Sequence, residues 1–230
     1  MEEKELTVVI PCLDEEKTIG ICIEKCQKVF SEHKINGEVL VSDNGSTDNS
    51  VKIAEEMGAR VVHCPDKGYG NTLRCGFKNA TGKYVIMGDA DNTYDFLEIP
   101  LLWNAKTEDT DMVIGSRLKG NIHEGAMPVY NKYLGTPVLT LIVNILYGTR
   151  ISDSQCGMRL MKRSSLEQIN FKTTGMEFAS ELLVEFTKHK FKIIETPISL
   201  LKGPEGRIPH LRPVRDGLRH LRYLIFNRFI

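Results

Sequence analysis

The sequence predicts an α/β protein whose mostly parallel, twisted sheet is covered by helices on both faces. Two observations support this prediction. Short continuous apolar runs, such as LTVVI at 6–10, alternate with longer stretches in which apolar residues recur at helical spacing. The loops between these segments are short, and strand–helix alternation with short loops is typical of parallel strands joined by crossover helices.

The elements of the first half are predicted in chain order. The apolar residues of 15–33 recur every three or four positions, which indicates a helix that ends near Gly37. Capping residues precede a second helix, and Gly58 closes it. The predicted strands are 6–10, 38–42, 60–64, 83–88 and 111–117, and the predicted helices are 15–33, 49–57 and 72–80.

Length and composition narrow the class of protein. A chain of 230 residues with 41% hydrophobic and 26% charged residues can bury one sizeable core, as a soluble globular protein does. The acidic N-terminus leads directly into a strand, unlike a signal peptide. The longest apolar stretch, 137–148, is shorter than the roughly 20 residues that a bilayer span needs.

Six cysteines lie mostly inside apolar segments and include no CxxC pair. This pattern predicts buried reduced thiols in an intracellular protein, in preference to zinc ligands or disulfides. The six are Cys12, Cys22, Cys26, Cys64, Cys75 and Cys156.

Charge is unevenly distributed along the chain, although the formal net charge is zero. Residues 202–230 contain seven Lys and Arg against two Asp and Glu, so this tail carries about +5 and the remainder about −5. The asymmetry favours an anionic partner for the tail.

Four polar loops follow predicted strands: PCLDEE at 11–16, SDNGSTD at 42–48, PDKGYG at 65–70 and GDADNTYD at 88–95. In open parallel sheets, ligands bind outside the carboxyl ends of the strands. We therefore expect these loops to form one site.

The last of these loops carries three carboxylates, on Asp89, Asp91 and Asp95. Carboxylates this close repel one another unless a cation or water lies between them. The Asp-x-Asp spacing predicts that Asp89 and Asp91 bind one Mg²⁺ or Mn²⁺, since these ions take few protein carboxylates and complete their shell with water and phosphate oxygens. Such an ion would polarise a diphosphate leaving group. The alternative interpretation is a solvated turn.

Taken together, these motifs resemble those of family-2 glycosyltransferases of the GT-A fold, and among them the polyprenyl-phosphate hexosyltransferases (dolichyl-phosphate mannose and glucose synthases). The segments that carry the resemblance cover most of residues 8–200. They are VVIPCLDEE (8–16), VSDNGSTDNS (41–50), KGYGNTLRCGFKNATGKYVIMGDADNTYD (67–95), VIGSR (113–117), DSQCGMRLMKR (153–163) and GMEFASELL (175–183).

The resemblance implies a GT-A domain over 1–200, with a nucleotide-sugar half at about 1–117 and an acceptor half at about 118–200. Two departures from the family pattern are Asp14, where Asn is usual, and Asn44, where a second Asp is common. We therefore rely more on Asp43 than on Asn44 as a base contact, although Asp43 could instead cap a helix. The donor residues implied are Pro11, Asp14, Glu15, Asp43, Asn44, Lys67, Gly68, Asp89 and Ala90.

A phosphate monoester acceptor is already an anion. It therefore needs cationic side chains that position it more than it needs a general base. The segment 113–163 is basic, and the resemblance implies that Arg117 and Arg159 hold phosphate. Asp153 stays open as a base for a hydroxyl acceptor, so the catalytic set is Asp89, Asp91, Arg117, Asp153 and Arg159. Glu177 and Glu181, four apart, are predicted to contact the acceptor side, or alternatively to pair with Lys188 or Arg163.

The tail 201–230 is predicted to be a basic amphipathic helix at a membrane interface. Its apolar face is Val214, Leu218, Leu221, Ile225 and Phe229, beside a stripe of Arg215, Arg219 and Arg222. Residues 128–147 form a second candidate interface helix. The alternative is that both faces are ordinary core or contacts of a homo-oligomer. The expected location is cytoplasmic, peripheral at the cytoplasmic face of a membrane.

The preferred function is inverting transfer of a hexose from a nucleotide sugar, UDP-glucose before GDP-mannose, to a polyprenyl phosphate, with Mg²⁺ or Mn²⁺ and no nucleic-acid partner. One alternative is a soluble glycosyltransferase with a sugar or protein hydroxyl acceptor. Another is a sugar-1-phosphate nucleotidyltransferase, although PCLDEE lacks the glycine and arginine which that class needs in its first loop. The non-enzymatic alternative is a membrane-surface binding module.

Overall fold

The computed structural model of the protein describes residues 4–204 and 212–228, without the side chains of Pro213 and Val214. In the described ranges the strands are Leu6–Cys12 (β1), Gly37–Asp43 (β2), Arg60–His63 (β3), Tyr84–Met87 (β4), Met112–Ser116 (β5), Arg159–Lys162 (β6) and Ile193–Pro197 (β7). The α-helices there are Ile19–His33 (α1), Ser50–Glu56 (α2), Tyr69–Asn79 (α3), Ile99–Ala105 (α4), Thr136–Tyr147 (α5), Arg163–Leu166 (α6), Phe178–Lys188 (α7) and Pro213–Phe226 (α8).

The strands form one sheet in the order β3-β2-β1-β4-β6-β5-β7. Neighbours are parallel except that β6 runs antiparallel to both β4 and β5. The predicted mostly parallel sheet is therefore confirmed. The sequence did not reveal β6 as a strand, because a four-residue segment beginning with arginine has neither a long apolar run nor a clear alternation.

The core lies on both sides of the central strands. Every residue of β1 is buried, which explains its continuous apolar run. Helix α1 buries the stripe predicted from its spacing, including Ile19, Ile23 and Cys26. Helix α1 contacts α2 and α4, whereas α3 contacts α7, so the helices cover the sheet in two layers.

Helix α1 ends at His33, the last residue of the predicted range 15–33, and the predicted stop signal near Gly37 is not its cap. Lys34 follows in the left-handed region at φ 52°, and its N–H donates to the carbonyl of Phe30. Gly37 instead serves close packing, because a Cβ there would lie 2.6 Å from the Phe30 ring. The glycine marks the start of β2 and not the helix cap.

Two of the six cysteines correct the prediction of reduced thiols. Cys64, just after β3, and Cys75, in α3, form a disulfide with their Cα atoms 6.0 Å apart. The tight strand-to-helix connection brings them together across eleven positions, which residue spacing alone did not indicate. The four other cysteines are buried and free, as expected. Burial raises the pKa of the Cys12 thiol to about 11 and that of Cys156 to about 12, so both stay protonated.

Helix α8 packs against α5 and α7 through a small apolar cluster that includes Val143, Leu183 and Leu224. Its buried face also carries Asp216, His220 and Tyr223, while Leu218 and Ile225 of the predicted apolar face are 61% and 44% exposed. The predicted face is thus not the one that packs on the core. The Val214 side chain, Phe229 and residues 205–211 lie outside the described residues.

Across residues 4–204 and 212–228, no helix has the length and hydropathy needed to cross a bilayer.

Candidate active site

A cleft of about 1590 Å³ opens at the carboxyl ends of β1 to β5. All four predicted loops contribute to its walls, as the parallel-sheet argument requires. Of the predicted site residues, those that line the cleft are Pro11, Glu15, Asn44, Lys67, Gly68, Asp89, Ala90, Asp91 and Arg117.

The two carboxylates of the acidic loop are held by their neighbours. Tyr69, at the start of α3, donates its phenolic O–H to Asp89 Oδ1 at 3.0 Å. Burial raises the pKa of Tyr69 well above its ordinary value, so the phenol keeps this proton. Asp91 Oδ1 accepts hydrogen bonds from the backbone N–H and the hydroxyl of Thr93, at 3.0 and 2.6 Å. Both side chains are therefore oriented before any ligand arrives.

This donor set fits Mg²⁺ or Mn²⁺. Asp89 and Asp91 line one cleft and offer only hard oxygen ligands. In the part of the chain that the structure describes, no three Asp, Glu, His or Cys side chains cluster as a closed metal site. An ion here would keep positions for water and phosphate oxygens, as Mg²⁺ usually does.

Asn44 shapes the turn that presents Lys67 and Gly68 to the cleft. Its amide donates to the carbonyl of Asp66 at 2.9 Å, and its Oδ1 accepts from the Gly68 N–H at 2.9 Å. Lys67 Nζ donates to the Asn44 carbonyl. Gly68 has φ 120°, and a Cβ there would lie 2.4 Å from the Thr174 carbonyl oxygen. Asn44 therefore supports this wall of the cleft through side-chain bonds to the backbone of Asp66 and Gly68.

Asp43 lies behind this wall and is only 3% exposed. It accepts hydrogen bonds from the N–H groups of Gly45 and Ser46 and lies 3.2 Å from His63 Nδ1. Burial opposes ionisation, but the bonds from Ser46, His63 and Gly45 prevail and hold the pKa of Asp43 below its ordinary value. The residue is an anion that orders its own loop, and it does not line the cleft.

Asp14 is likewise not among the residues that line the cleft. It is exposed, with φ 53°, and its Oδ1 accepts from the Thr47 N–H at 2.7 Å. The side chain thus ties the first loop to the second, and the structure does not place it among the cleft-lining residues.

Arg117 and Asp153 form a two-pronged ion pair at the end of β5. Arg117 Nε and Nη2 donate to the two Asp153 carboxylate oxygens at 2.7 and 2.8 Å. The Asp153 carboxylate is fully buried, whereas Arg117 lines the cleft. The expectation that Asp153 could act as a base is not supported, since both of its oxygens are engaged by the arginine.

Arg159, the first residue of β6, is fully buried and does not reach the cleft. Its guanidinium donates to the carbonyls of Ser154, Cys156 and Ala179 at 2.8 to 2.9 Å. The structure therefore does not bring Arg159 to the cleft surface, where it was expected to hold phosphate. Its charge was visible in the sequence, but its burial was not. The side chain fixes the loop between Asp153 and Gly157 against α7.

The two glutamates of GMEFASELL have separate partners and do not form a joint acceptor contact. Glu181 accepts bonds from the N–H groups of Lys172 and Thr173 at 2.7 and 2.8 Å. Glu177 Oε1 accepts from Arg219 Nη2 of α8 at 2.7 Å, and its buried Oε2 has no partner among the described residues. The alternative partners pair elsewhere, Lys188 with Glu185 and Arg163 with Glu167, and neither Glu177 nor Glu181 is among the cleft-lining residues.

The cleft also has lining residues that sequence reasoning missed. Tyr69, Tyr94, Gln155 and His220 all contribute to its walls. The two tyrosines stood inside predicted loops, so their position was available as a signal. His220 stood on a helix interpreted only by its apolar face, and no local pattern marks it.

Beyond Arg117 the cleft becomes apolar. Its walls there come from α5 and α8 and include Val138, Leu139, Ile142, Leu218 and Leu221. The neighbouring outer surface is also apolar and exposed, with Leu141 at 57% and Ile145 at 71%. One continuous cavity therefore joins a charged end at the strand loops to an apolar end between two helices.

Comparison with known proteins gives a consistent set of relatives. The family model described as Glycosyl transferase family 2 matches residues 7–170. Low-salt glycan biosynthesis hexosyltransferase Agl6 of Haloferax volcanii is 42% identical over 223 residues, which cover 96% of this chain and 53% of the relative. The chain thus spans about half the length of that relative. Dolichyl-phosphate hexose transferase of the same organism is 29% identical, with 84% of this chain and 82% of the relative covered.

Solved structures share the architecture. Glucosyl-3-phosphoglycerate synthase of Mycobacterium tuberculosis in complex with UDP matches with a TM-score of 0.77 at 20% identity, covering 99% of this chain and 81% of that chain. Its complex with Mn²⁺, UDP-glucose and phosphoglyceric acid gives 0.75 at 21% identity, covering 98% and 79%. At this identity the similarity concerns the fold, and the predicted fold class is confirmed.

Proposed function

Since the chain belongs to glycosyl transferase family 2, we propose that it transfers a hexose from a nucleotide diphosphate sugar to a polyprenyl phosphate. The fold is GT-A, and the chain carries a glycosyltransferase domain. The finer assignment of donor, metal and acceptor rests on the cleft. The single observation that carries it is the continuity of a carboxylate-lined end with an apolar end in one cavity.

The charged end suits a nucleotide sugar. Asp89 and Asp91 would hold a divalent ion, which supplies charge neutralisation for the departing diphosphate. Tyr69 and Thr93 keep the two carboxylates oriented, and Lys67 adds a cation to the lining of the cleft. We place the donor half at about 1–117, with UDP-glucose as the first donor to test.

The acceptor end favours an anion over a hydroxyl. A hydroxyl acceptor needs a general base in the transition state, whereas a phosphate monoester does not. Among the described residues, the carboxylates that line the cleft are Glu15, Asp89 and Asp91, and all three belong to the donor loops. Outside those loops the cleft is lined by the cations Arg117 and Lys202.

The apolar walls suit a polyprenyl chain, and the dolichyl-phosphate hexose transferase among the relatives bears a name that agrees with such an acceptor. The exposed faces of α5 and α8 suit peripheral contact with a membrane, where the lipid resides. We propose that residues 128–147 and 212–228 form this contact at the cytoplasmic face.

The test is transfer of label from UDP-glucose or GDP-mannose, with Mn²⁺ or Mg²⁺, to a short polyprenyl phosphate in detergent. Label is expected in the lipid extract and not with the matching polyprenol. Phosphoglyceric acid, which is present in the complex of one of the solved structures with a similar fold, is tested as the comparison acceptor. Transfer to phosphoglyceric acid but not to the lipid would contradict the proposal. A folded, nucleotide-binding protein that labels neither would also contradict it.

A further inference from the structure

Helix α8 contributes one polar side chain to the cleft. Of its described residues, Gly217, Leu218, His220 and Leu221 line the cavity. His220 is only 4% exposed, so its ring is buried between the helix and the cleft wall. An imidazole in this largely apolar wall offers the cleft a hydrogen-bonding group.

One nitrogen of the ring has a partner. His220 Nδ1 lies 2.7 Å from Ser180 Oγ of α7, and Ser180 is completely buried. Ser180 Oγ also accepts a longer bond of 3.4 Å from Gln155 Nε2, whose amide nitrogen can only donate. Gln155 belongs to the acceptor-side loop and lines the cleft.

These contacts determine which nitrogen carries the proton. Within the described ranges the Ser180 hydroxyl has no acceptor other than His220 Nδ1. If Nδ1 were protonated, a buried hydroxyl hydrogen would be left without an acceptor, which is unfavourable. Ser180 therefore donates to Nδ1, and the proton of the neutral ring sits on Nε2.

The ring is neutral at physiological pH. Burial lowers the pKa of His220 to about 4, with help from the cations Arg159 of β6 and Arg219 of α8. The carboxylates Glu177 and Asp216 act in the opposite direction and do not prevail. Nε2–H is then a fixed, uncharged donor with no hydrogen-bond partner elsewhere in residues 4–204 and 212–228.

We propose that His220 donates a hydrogen bond from Nε2 to a phosphate oxygen of the acceptor, which makes α8 part of the acceptor site. The inference rests on the proposed polyprenyl phosphate acceptor. His220 lines the cleft together with Leu218, Leu221 and Gln155, and the buried Ser180 hydroxyl contacts both His220 and Gln155. The phosphate of the lipid would then lie at His220, and its polyprenyl chain would lie against the apolar wall of the cleft.

The kinetic test compares His220→Phe and His220→Gln in the full chain. Loss of the donor in His220→Phe should raise the KM for polyprenyl phosphate by roughly 10- to 100-fold, with the KM for the nucleotide sugar unchanged. His220→Gln, which keeps an N–H near the position of Nε2, should recover most of that loss. His189→Gln, at an exposed histidine that follows α7, is the matched control. An unchanged acceptor KM, or a raised donor KM instead, overturns the proposal.

A spectroscopic experiment tests the protonation and the hydrogen bond of His220 without measuring turnover. Long-range ¹H–¹⁵N spectra, with the signal assigned by its loss in His220→Gln, should show Nε2 protonated and Nδ1 unprotonated. Citronellyl phosphate should shift the Nε2 signal, and citronellol should not. The opposite tautomer or an absent shift overturns the role of His220. Absence of hexose transfer by the wild-type chain, in contrast, refutes the proposed function, so the two failures are distinguishable.

Discussion

Arg117 holds both oxygens of Asp153 in a two-pronged ion pair, with the carboxylate fully buried and the guanidinium at the cleft wall. The backbone N–H of Arg117 adds a third bond to the same carboxylate at 3.1 Å. The pair therefore fixes the direction in which the arginine presents its remaining surface to the cavity.

This arrangement predicts that Asp153→Asn acts through Arg117 and stability, and not through loss of a base. Breaking a largely buried ion pair by removing one partner costs about 3–5 kcal/mol, so the free energy of unfolding should fall by up to that amount. The KM for the acceptor should rise, while the pH dependence of kcat keeps its shape. Urea unfolding and pH–rate profiles check both. Loss of kcat together with the acidic limb of the profile would restore Asp153 as a base. Arg117→Lys is the companion variant, because lysine keeps the positive charge but cannot form the two-pronged hydrogen bond to the carboxylate.

Tyr69 is predicted to tune the metal site through Asp89. Partners that orient a metal ligand typically contribute 10- to 100-fold to metal affinity, so Tyr69→Phe should weaken Mn²⁺ binding by about that factor. Calorimetric titration of Mn²⁺ into the UDP-saturated protein measures it without turnover. Tyr133→Phe, at a tyrosine that is 70% exposed, is the control. Equal Mn²⁺ affinity in all three proteins would contradict a metal role for the Asp89 side of the loop.

The sequence revealed the cleft residues of the strand-end loops better than those between β5 and α8 for a physical reason. These loops follow apolar strands, and parallel strands necessarily bring their carboxyl ends together. Asp153, Arg159 and His220 take their roles from tertiary contacts instead. Their charge or polarity is visible in the sequence, but burial and pairing across β5, β6, α7 and α8 are not. The antiparallel β6, which creates these contacts, carried too short a pattern to be recognised.

The disulfide between Cys64 and Cys75 encloses the turn that presents Lys67 and Gly68. Opening a closed loop of about this length releases chain entropy in the unfolded state, and the expected loss of stability is about 3 kcal/mol. Urea unfolding with and without a phosphine reductant measures that loss. The nucleotide affinity should fall in parallel, because the turn is less constrained. Cys64→Ser/Cys75→Ser should be insensitive to the reductant, and an equal response in that variant would argue against the bond.

The exposed apolar faces of α5 and α8 are predicted to bind membranes. Ile145 and Leu218 are 71% and 61% exposed, so Ile145→Ser and Leu218→Ser should barely change stability. Burial of one such side chain in a bilayer contributes about 1.5–3 kcal/mol, so each change should weaken binding to anionic vesicles at least about tenfold. Leu101→Ser, on the exposed side of α4, is the matched control. If all three variants bound the vesicles equally well in a flotation assay, the proposed membrane-binding surface would be refuted.

His220 is also predicted to make stability depend on pH in the mildly acidic range. Its pKa is about 4 in the folded chain and about 6.5 in the unfolded chain, so the unfolded state binds more protons between these values. The stabilising contribution is therefore complete above about pH 6.5 and is lost as the pH falls towards 4. Its full size is on the order of 3 kcal/mol, since one pKa unit corresponds to about 1.4 kcal/mol.

Carboxylates give a separable signal in the same experiment. Although burial opposes ionisation, bonds from Arg60, Thr81 and Thr7 lower the pKa of Glu38 to about 2, so its contribution disappears only below about pH 4.5. Urea unfolding of the wild type between pH 7 and 4 should show a decline that His220→Gln removes, while the steeper loss below pH 4 persists in both. If the two proteins decline in parallel between pH 7 and 4, His220 is not buried in its neutral form, and the hydrogen-bond chain through Ser180 is then wrong as well.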